Sequence, residues 1–115
     1  MVVSPDAQVC QKIQSICGAE KLDCYLVSYG EHLKDLTKRQ NPFMLVVDFS
    51  AEGSDWIMKH LSEIKVDRSH IAIIGLVAEG LEADIVRLQR AGCDHVLKKE
   101  KFFERAEALI LRYIR

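Results

Sequence analysis

Asp48 closes an uninterrupted apolar run, Phe43-Met44-Leu45-Val46-Val47, and Lys99 follows a shorter one, Val96-Leu97, within Lys98-Lys99-Glu100. A carboxylate at the end of a buried strand can attack phosphorus and become an acyl phosphate. A lysine arriving from a second strand end can answer the charge of the three oxygens added. The other reactive side chains offer less. Cys10, Cys17, Cys24 and Cys93 contain no C-x-x-C pair, and no histidine follows them at a zinc-finger spacing. They read as small buried hydrophobes in a reducing compartment, two on a helical pattern and Cys24 on a strand. His32, His60, His70 and His95 are scattered single residues. The chain has no G-x-x-x-x-G-K-[ST], G-x-G-x-x-G or G-x-S-x-G, so nucleotide-binding and serine-hydrolase chemistry lose support. Ser4-Pro5-Asp6-Ala7-Gln8 is a poor phosphate loop for a flavin.

The elements that must position Asp48 and Lys99 follow from the changes in apolar period. Met1-Val2-Val3 is a short first strand. Ser4-Pro5 starts a helix, with Val9, Ile13 and Ile16 on one face and Gly18 as its stop. Cys24 to Tyr29 is a second strand. A helix carries Leu33 and Leu36 to Lys38-Arg39, and Asn41-Pro42 marks a turn. The third strand runs from Phe43 to Asp48. Ile57, Leu61 and Ile64 give the next helix its buried stripe, Ile71 to Val77 the fourth strand, and Leu81, Ile85 and Leu88 a helix ending at Ala91-Gly92. Val96-Leu97 is the fifth strand. The last helix is expected from about Phe102, with Phe103, Ala106, Ile110 and Tyr113 inward and Phe102 exposed at an interface. Trp56, at the start of the third helix, is expected to be partly buried. Five strand–helix units with continuous apolar central strands predict an α/β fold: a flavodoxin-like, doubly wound parallel sheet in the order 2-1-3-4-5, with helices on both faces. Sites in such sheets form at the carboxyl ends of the strands, where Asp48 and Lys99 fall.

Composition narrows the field. A chain of 115 residues, 49% hydrophobic and 29% charged, suits one domain spanning 1–115. A formal net charge of -1, from 16 basic and 17 acidic side chains, gives no drive toward a phosphate backbone, so no nucleic-acid role is expected of this domain. No apolar run approaches a membrane span, and residues 1–6 carry no signal-peptide pattern, so the expected location is the cytoplasm.

Val46-Val47-Asp48 with its loop and helix, then Ile73-Ile74-Gly75-Leu76-Val77-Ala78, then Arg90-Ala91-Gly92-Cys93-Asp94-His95-Val96-Leu97-Lys98-Lys99, resembles the receiver domain of two-component response regulators. The resemblance covers essentially the whole chain. Its most specific part is Ala91-Gly92-x-Asp94 running on to Lys99, and the step from Val77 to Lys99 also suits the family. The resemblance places Asp48 at the phosphoacceptor position and Lys99 at the lysine that pairs with the phosphoryl group. The family's two acidic residues for a divalent cation, commonly magnesium, match Ser4 and Pro5; a one-residue shift would bring Asp6 into the pair. The strand-4 hydroxyl is replaced by Val77, the switch aromatic by Val96 beside His95, and the proline after the lysine by Glu100.

These departures imply a degenerate, pseudo-receiver-like domain. Magnesium wants hard oxygen ligands in octahedral geometry, so Asp48 and Asp6 would form a weak site. Val77 cannot donate the bond that reports phosphorylation. The expectation is a non-enzymatic signalling module with weak phosphorylation or none. Its partners would be a histidine kinase, a phosphotransfer protein or another signalling protein. Contact is expected through the fourth helix, fifth strand and fifth helix, including in a homodimer. The short first strand favours a fragment of a larger regulator over a stand-alone adaptor. The competing reading is a flavodoxin-like domain that binds a small ligand or cofactor.

Overall fold

The computed structural model describes residues 1–3, 7–27, 33–49, 61–66, 70–77 and 82–114. Runs of β-branched and aliphatic residues form β1 (Val2–Val3), β2 (Leu26–Val27), β3 (Met44–Asp48), β4 (Ala72–Val77) and β5 (His95–Lys98). Amphipathic segments between them form α1 (Ala7–Ala19), α2 (Leu33–Gln40), the helical residues 61–66, α3, then α4 (Glu82–Ala91) and α5 (Lys99–Ile114). The strands pair in parallel in the order β2-β1-β3-β4-β5, as the sequence pattern predicts.

The sheet is covered on both faces, which is why β3 and β4 are buried throughout and carry no polar alternation. Side chains alternate between the two cores. Leu45, Val47, Ile73 and Val77 meet Leu61, Ile64 and Leu88 from α3 and α4. Met44, Val46, Ile74 and Leu76 meet Val9 and Ile13 of α1 and Phe102, Ala106 and Ile110 of α5.

Among the described residues, three helices end in left-handed caps. Gly92, with φ 118°, closes α4: its amide donates to the Gln89 carbonyl and the next amide, Cys93, donates to Leu88. Asn41, with φ 45°, closes α2 by donating to the Thr37 carbonyl, and Pro42 prevents continuation. At α1 the sequence expectation is corrected. Gly18 lies inside the helix, and the left-handed residue is Lys21, with φ 58°. Lys21 donates to the Gly18 carbonyl and Leu22 to Cys17. The cap therefore forms three residues after the glycine, because Leu22 has an apolar seat beside Cys17 in the α1–α5 core.

Other expectations shift in detail. The described part of the second strand is Leu26–Val27; Cys24 and Tyr25 precede it. α5 begins at Lys99, three residues ahead of its apolar stripe, with Glu100 in the first turn where a carboxylate suits the helix dipole. Phe102 is not an interface residue. It is fully buried, and the innermost stripe is Phe102, Ala106 and Ile110, with Phe103 and Tyr113 half-buried beside it. The expectations for Trp56, Ile57 and Leu81 lie outside the described residues.

Candidate functional site

The parallel register brings three strand ends together. Asp48 stands opposite Leu76, and Val77 stands opposite Lys98. One residue beyond Lys98, at the first position of α5, Lys99 reaches across with its Nζ 2.9 Å from Asp48 Oδ2. The Asp48 side chain is 0% exposed and that of Lys99 is 25% exposed. A carboxylate removed from water in this way requires a cationic or hydrogen-bonding partner, and the sheet supplies one from two strands away. The two residues that the predicted sheet order and the resemblance pair are thus in direct contact.

The surroundings set what this pair can do. Val77 is buried in the core on the α3–α4 face and has no hydroxyl to offer. Phe49, directly after Asp48, donates its amide to the Leu76 carbonyl at 2.8 Å and packs its ring on the same core. A Cβ on Gly75 would lie 3.1 Å from Cys93 Sγ and 3.5 Å from the Phe49 ring. Glycine at this position therefore lets Phe49 and Cys93 close over β4. Ser4, Pro5 and Asp6 lie outside the described residues. Among the described residues, no three His, Cys, Asp or Glu side chains gather as a metal cage. Asp48 Oδ2 is already shared with Lys99, so the described donor set by itself does not fit an octahedral cation.

The Ala91-Gly92-x-Asp94 motif has a structural explanation. Gly92 takes the left-handed cap, and its neighbour Asp94 ties the turn to two elements. Asp94 Oδ2 accepts from the Ile73 amide at 2.8 Å and from Lys65 Nζ at 2.7 Å, while the Asp94 amide donates to the Ile73 carbonyl at 2.8 Å. Lys65, on α3, also donates to the Ile71 carbonyl at 2.9 Å. The sequence reading did not single out Lys65, whose partners are distant in the chain. Beside this clamp, burial and then the Asp94 charge push the Cys93 thiol up to about 12, against a smaller opposing effect of Lys65. His95, next to the position of the family's switch aromatic, has its Nε2 2.6 Å from the Tyr113 hydroxyl, with the two rings edge to face. That contact joins β5 to the end of α5, and Tyr113 is the partner that the sequence reading treated only as core.

No protein-family model matches the chain, and no curated protein matches it. Solved structures do match. An atypical orphan response regulator, described as having a phosphorylation-independent regulatory mechanism, superposes with TM-score 0.78 at 15% identity, over 99% of this chain and 92% of that one. The orphan response regulator HP1043 of H. pylori gives 0.77 at 16%, over 100% and 97%. The BeF3-activated DrrB receiver domain gives 0.71 at 17%, over 98% and 93%. The chain therefore has the fold of response-regulator receiver domains along its whole length.

Proposed function

We propose that this chain is a receiver-like signalling domain of a two-component phosphorelay, or of a system derived from one, acting mainly through protein contact. The observation that carries the reading is the buried Asp48 at the end of β3, held at 2.9 Å by Lys99, with Val77 at the end of β4. In a receiver, an aspartate oxygen attacks a phosphodonor, the bond from phosphorus to the leaving group breaks, and the acyl phosphate adds about 1.5 to 2 negative charges. Lys99 is placed to meet that charge. Val77 cannot add the hydrogen bond that distinguishes the phosphorylated state, so the response is weak. Magnesium binding, which would draw on Asp48 and Asp6, is weak for the same loss of carboxylates. The two orphan regulators above, one described as phosphorylation-independent, support this reading.

The contact face is α4, β5 and α5. It carries Val86, exposed on α4, and the half-buried Leu111 and Tyr113 on α5. Its occupant is a histidine kinase, a phosphotransfer protein, another signalling protein or a second copy of the chain. Among the described residues no helix is long and apolar enough to cross a membrane, which is compatible with a cytoplasmic location. The competing reading is a small-ligand domain. Among the described residues, a cavity of about 270 Å³ lies at the amino ends of the strands, away from the carboxyl ends where ligands of such sheets usually sit.

Intact mass after incubation with a small phosphodonor and magnesium, beside Asp48→Asn, tests the acceptor. The expected result is a minor phosphorylated population that Asp48→Asn abolishes. A magnesium titration followed by the fluorescence of Trp56 should change little. Complete phosphorylation with tight magnesium binding would overturn the weak-receiver reading. Leu111→Glu should reduce self-association or partner binding while leaving the far-ultraviolet dichroism intact; an unfolded variant would show that Leu111 belongs to the core.

A further inference from the structure

We propose that Cys17 and Cys24 form a dithiol that a small hydroperoxide converts reversibly into a disulfide, inside the cavity at the amino ends of β1, β2 and β3. This site lies at the opposite end of the sheet from Asp48 and is independent of the phosphorylation chemistry. The cap at the end of α1 creates it. With Lys21 left-handed and Leu22 bonded back to the Cys17 carbonyl, the chain reverses and brings Cys24 beside the last turn of the helix. Both cysteines line a cavity of about 270 Å³, together with Leu22, Asp23, Tyr25 and Ile110. Both also pack in the same α1–α5 core, Cys17 within it and Cys24 against it. Neither is in a disulfide in this structure.

The same geometry separates Cys17 from the other two thiols. Cys10 lies two turns before Cys17 on α1, about 10 Å along the helix axis, beyond the reach of a disulfide. Cys93 belongs to the core on the other face of the sheet. Cys17 is buried and Cys24 half-buried, which assigns first attack to Cys24 and resolution to Cys17. Burial, then the neighbouring Cys17, holds the Cys24 thiol above its ordinary range. Cys24 therefore rests as a thiol and reacts slowly.

The chemistry balances with the hydroperoxide as oxidant. Cys24 loses its proton, and its sulfur attacks the outer peroxide oxygen. The O–O bond breaks, an alcohol (or water, from hydrogen peroxide) leaves, and Cys24 becomes a sulfenic acid. Cys17 then loses its proton and attacks that sulfur. The S–S bond forms, the S–O bond breaks, and the departing hydroxide takes up the proton as water. The two sulfurs give up two electrons, which the peroxide accepts. Exchange with a low-molecular-weight thiol restores the dithiol.

The sequence supplies a clean assay, because Lys12, Lys21 and Lys34 place Cys10, Cys17 and Cys24 in separate tryptic peptides. The full chain is treated with hydrogen peroxide, alkylated and digested. The expected product is peptide 13–21 joined to peptide 22–34, in a monomer whose intact mass falls by about 2 Da. Dithiothreitol should reverse the loss, and Cys24→Ser and Cys17→Ser should each abolish the link. The wild-type peptide map decides the matter even if a variant folds poorly. A link involving Cys10 or Cys93, a disulfide between two chains, unlinked oxidation at Cys24, or four unmodified thiols after peroxide would each overturn the proposal.

Discussion

Among the described residues, two aspartate–lysine pairs have almost the same length. Lys99 lies 2.9 Å from Asp48 at the carboxyl end of the sheet, and Lys65 lies 2.7 Å from Asp94 near the start of β4. Their surroundings differ. Asp48 has no exposed side-chain surface, while the side chains of Asp94 and Lys65 are 33% and 28% exposed. Asp94 also receives the Ile73 amide, so its charge is shared with the backbone that it fastens. Distance therefore says little about the role of a pair. A buried carboxylate depends on its cation, which makes that site sensitive to any added charge. A half-exposed carboxylate that grips a turn is a fastener, with water available when the partner leaves.

The largest expected effect tests that contrast directly. Lys99→Ala leaves Asp48 buried without its cation and should cost about 3 kcal/mol or more. Lys65→Ala should cost about 1 kcal/mol, since a partly exposed pair is worth little. Urea denaturation of both variants decides it, and equal losses would break the comparison. Next in size is Val77→Thr, which puts a hydroxyl donor at the end of β4 beside the buried pair. A hydrogen bond to a charged group is worth about 1.5–3 kcal/mol, and a ligand shifts an equilibrium only by its differential affinity for the two states. Phosphodonor-induced amide shifts in the segment from Ala78 to Leu81 should grow in that variant. The proposal fails if wild-type protein already shows large shifts there, or if a demonstrably phosphorylated Val77→Thr sample shows no gain.

Asp94→Ala removes the amide bond and the ion pair of the fastener together. A loss of about 1–2 kcal/mol is expected, measured by the same denaturation; a smaller loss than in Lys65→Ala would show that Asp94 is not the anchor. The smallest effect concerns Cys93 beside it. The folded thiol titrates at about 12 against an ordinary 9.0. A folded value above the unfolded one means stability is intact below pH 9 and is lost as pH rises from there toward 12. Half a unit above 9, the loss should be under about 1 kcal/mol, and Cys93→Ala should flatten that part of the stability–pH curve. An unchanged slope would remove the thiol from the account.

Much of this arrangement was legible in the residues, for identifiable reasons. β3 and β4 declare themselves because strands covered on both faces lose their polar alternation, and Asp48 stands out because it ends such a run. Asp48 and Lys99 could be paired because the sheet order follows from five alternating units. Phe102 was misplaced because adjacent aromatics fit a helical stripe equally well, and only packing against α1 and β4 chooses between them. The start of α5 was hidden by its polar first turn, Lys99-Glu100-Lys101. Residue type alone favours Gly18 as the stop, whereas the apolar seat of Leu22 moves the cap to Lys21. The clamp of Lys65 on Asp94 depends on a contact between distant parts of the chain that no local pattern announces.

β5 ends at Lys98 and α5 begins at Lys99, with no connecting residue between them. The mechanical consequence is that the lysine stands on a hinge-free junction, its backbone fixed by a strand on one side and a helix on the other. Charge added at Asp48 would be met by a side chain turning about its own torsions on a stationary base. An exchange map in which residues 98–102 opened on addition of phosphodonor would contradict this. A strut so mounted would carry load without travelling and leave motion at this end of the sheet to elements other than α5.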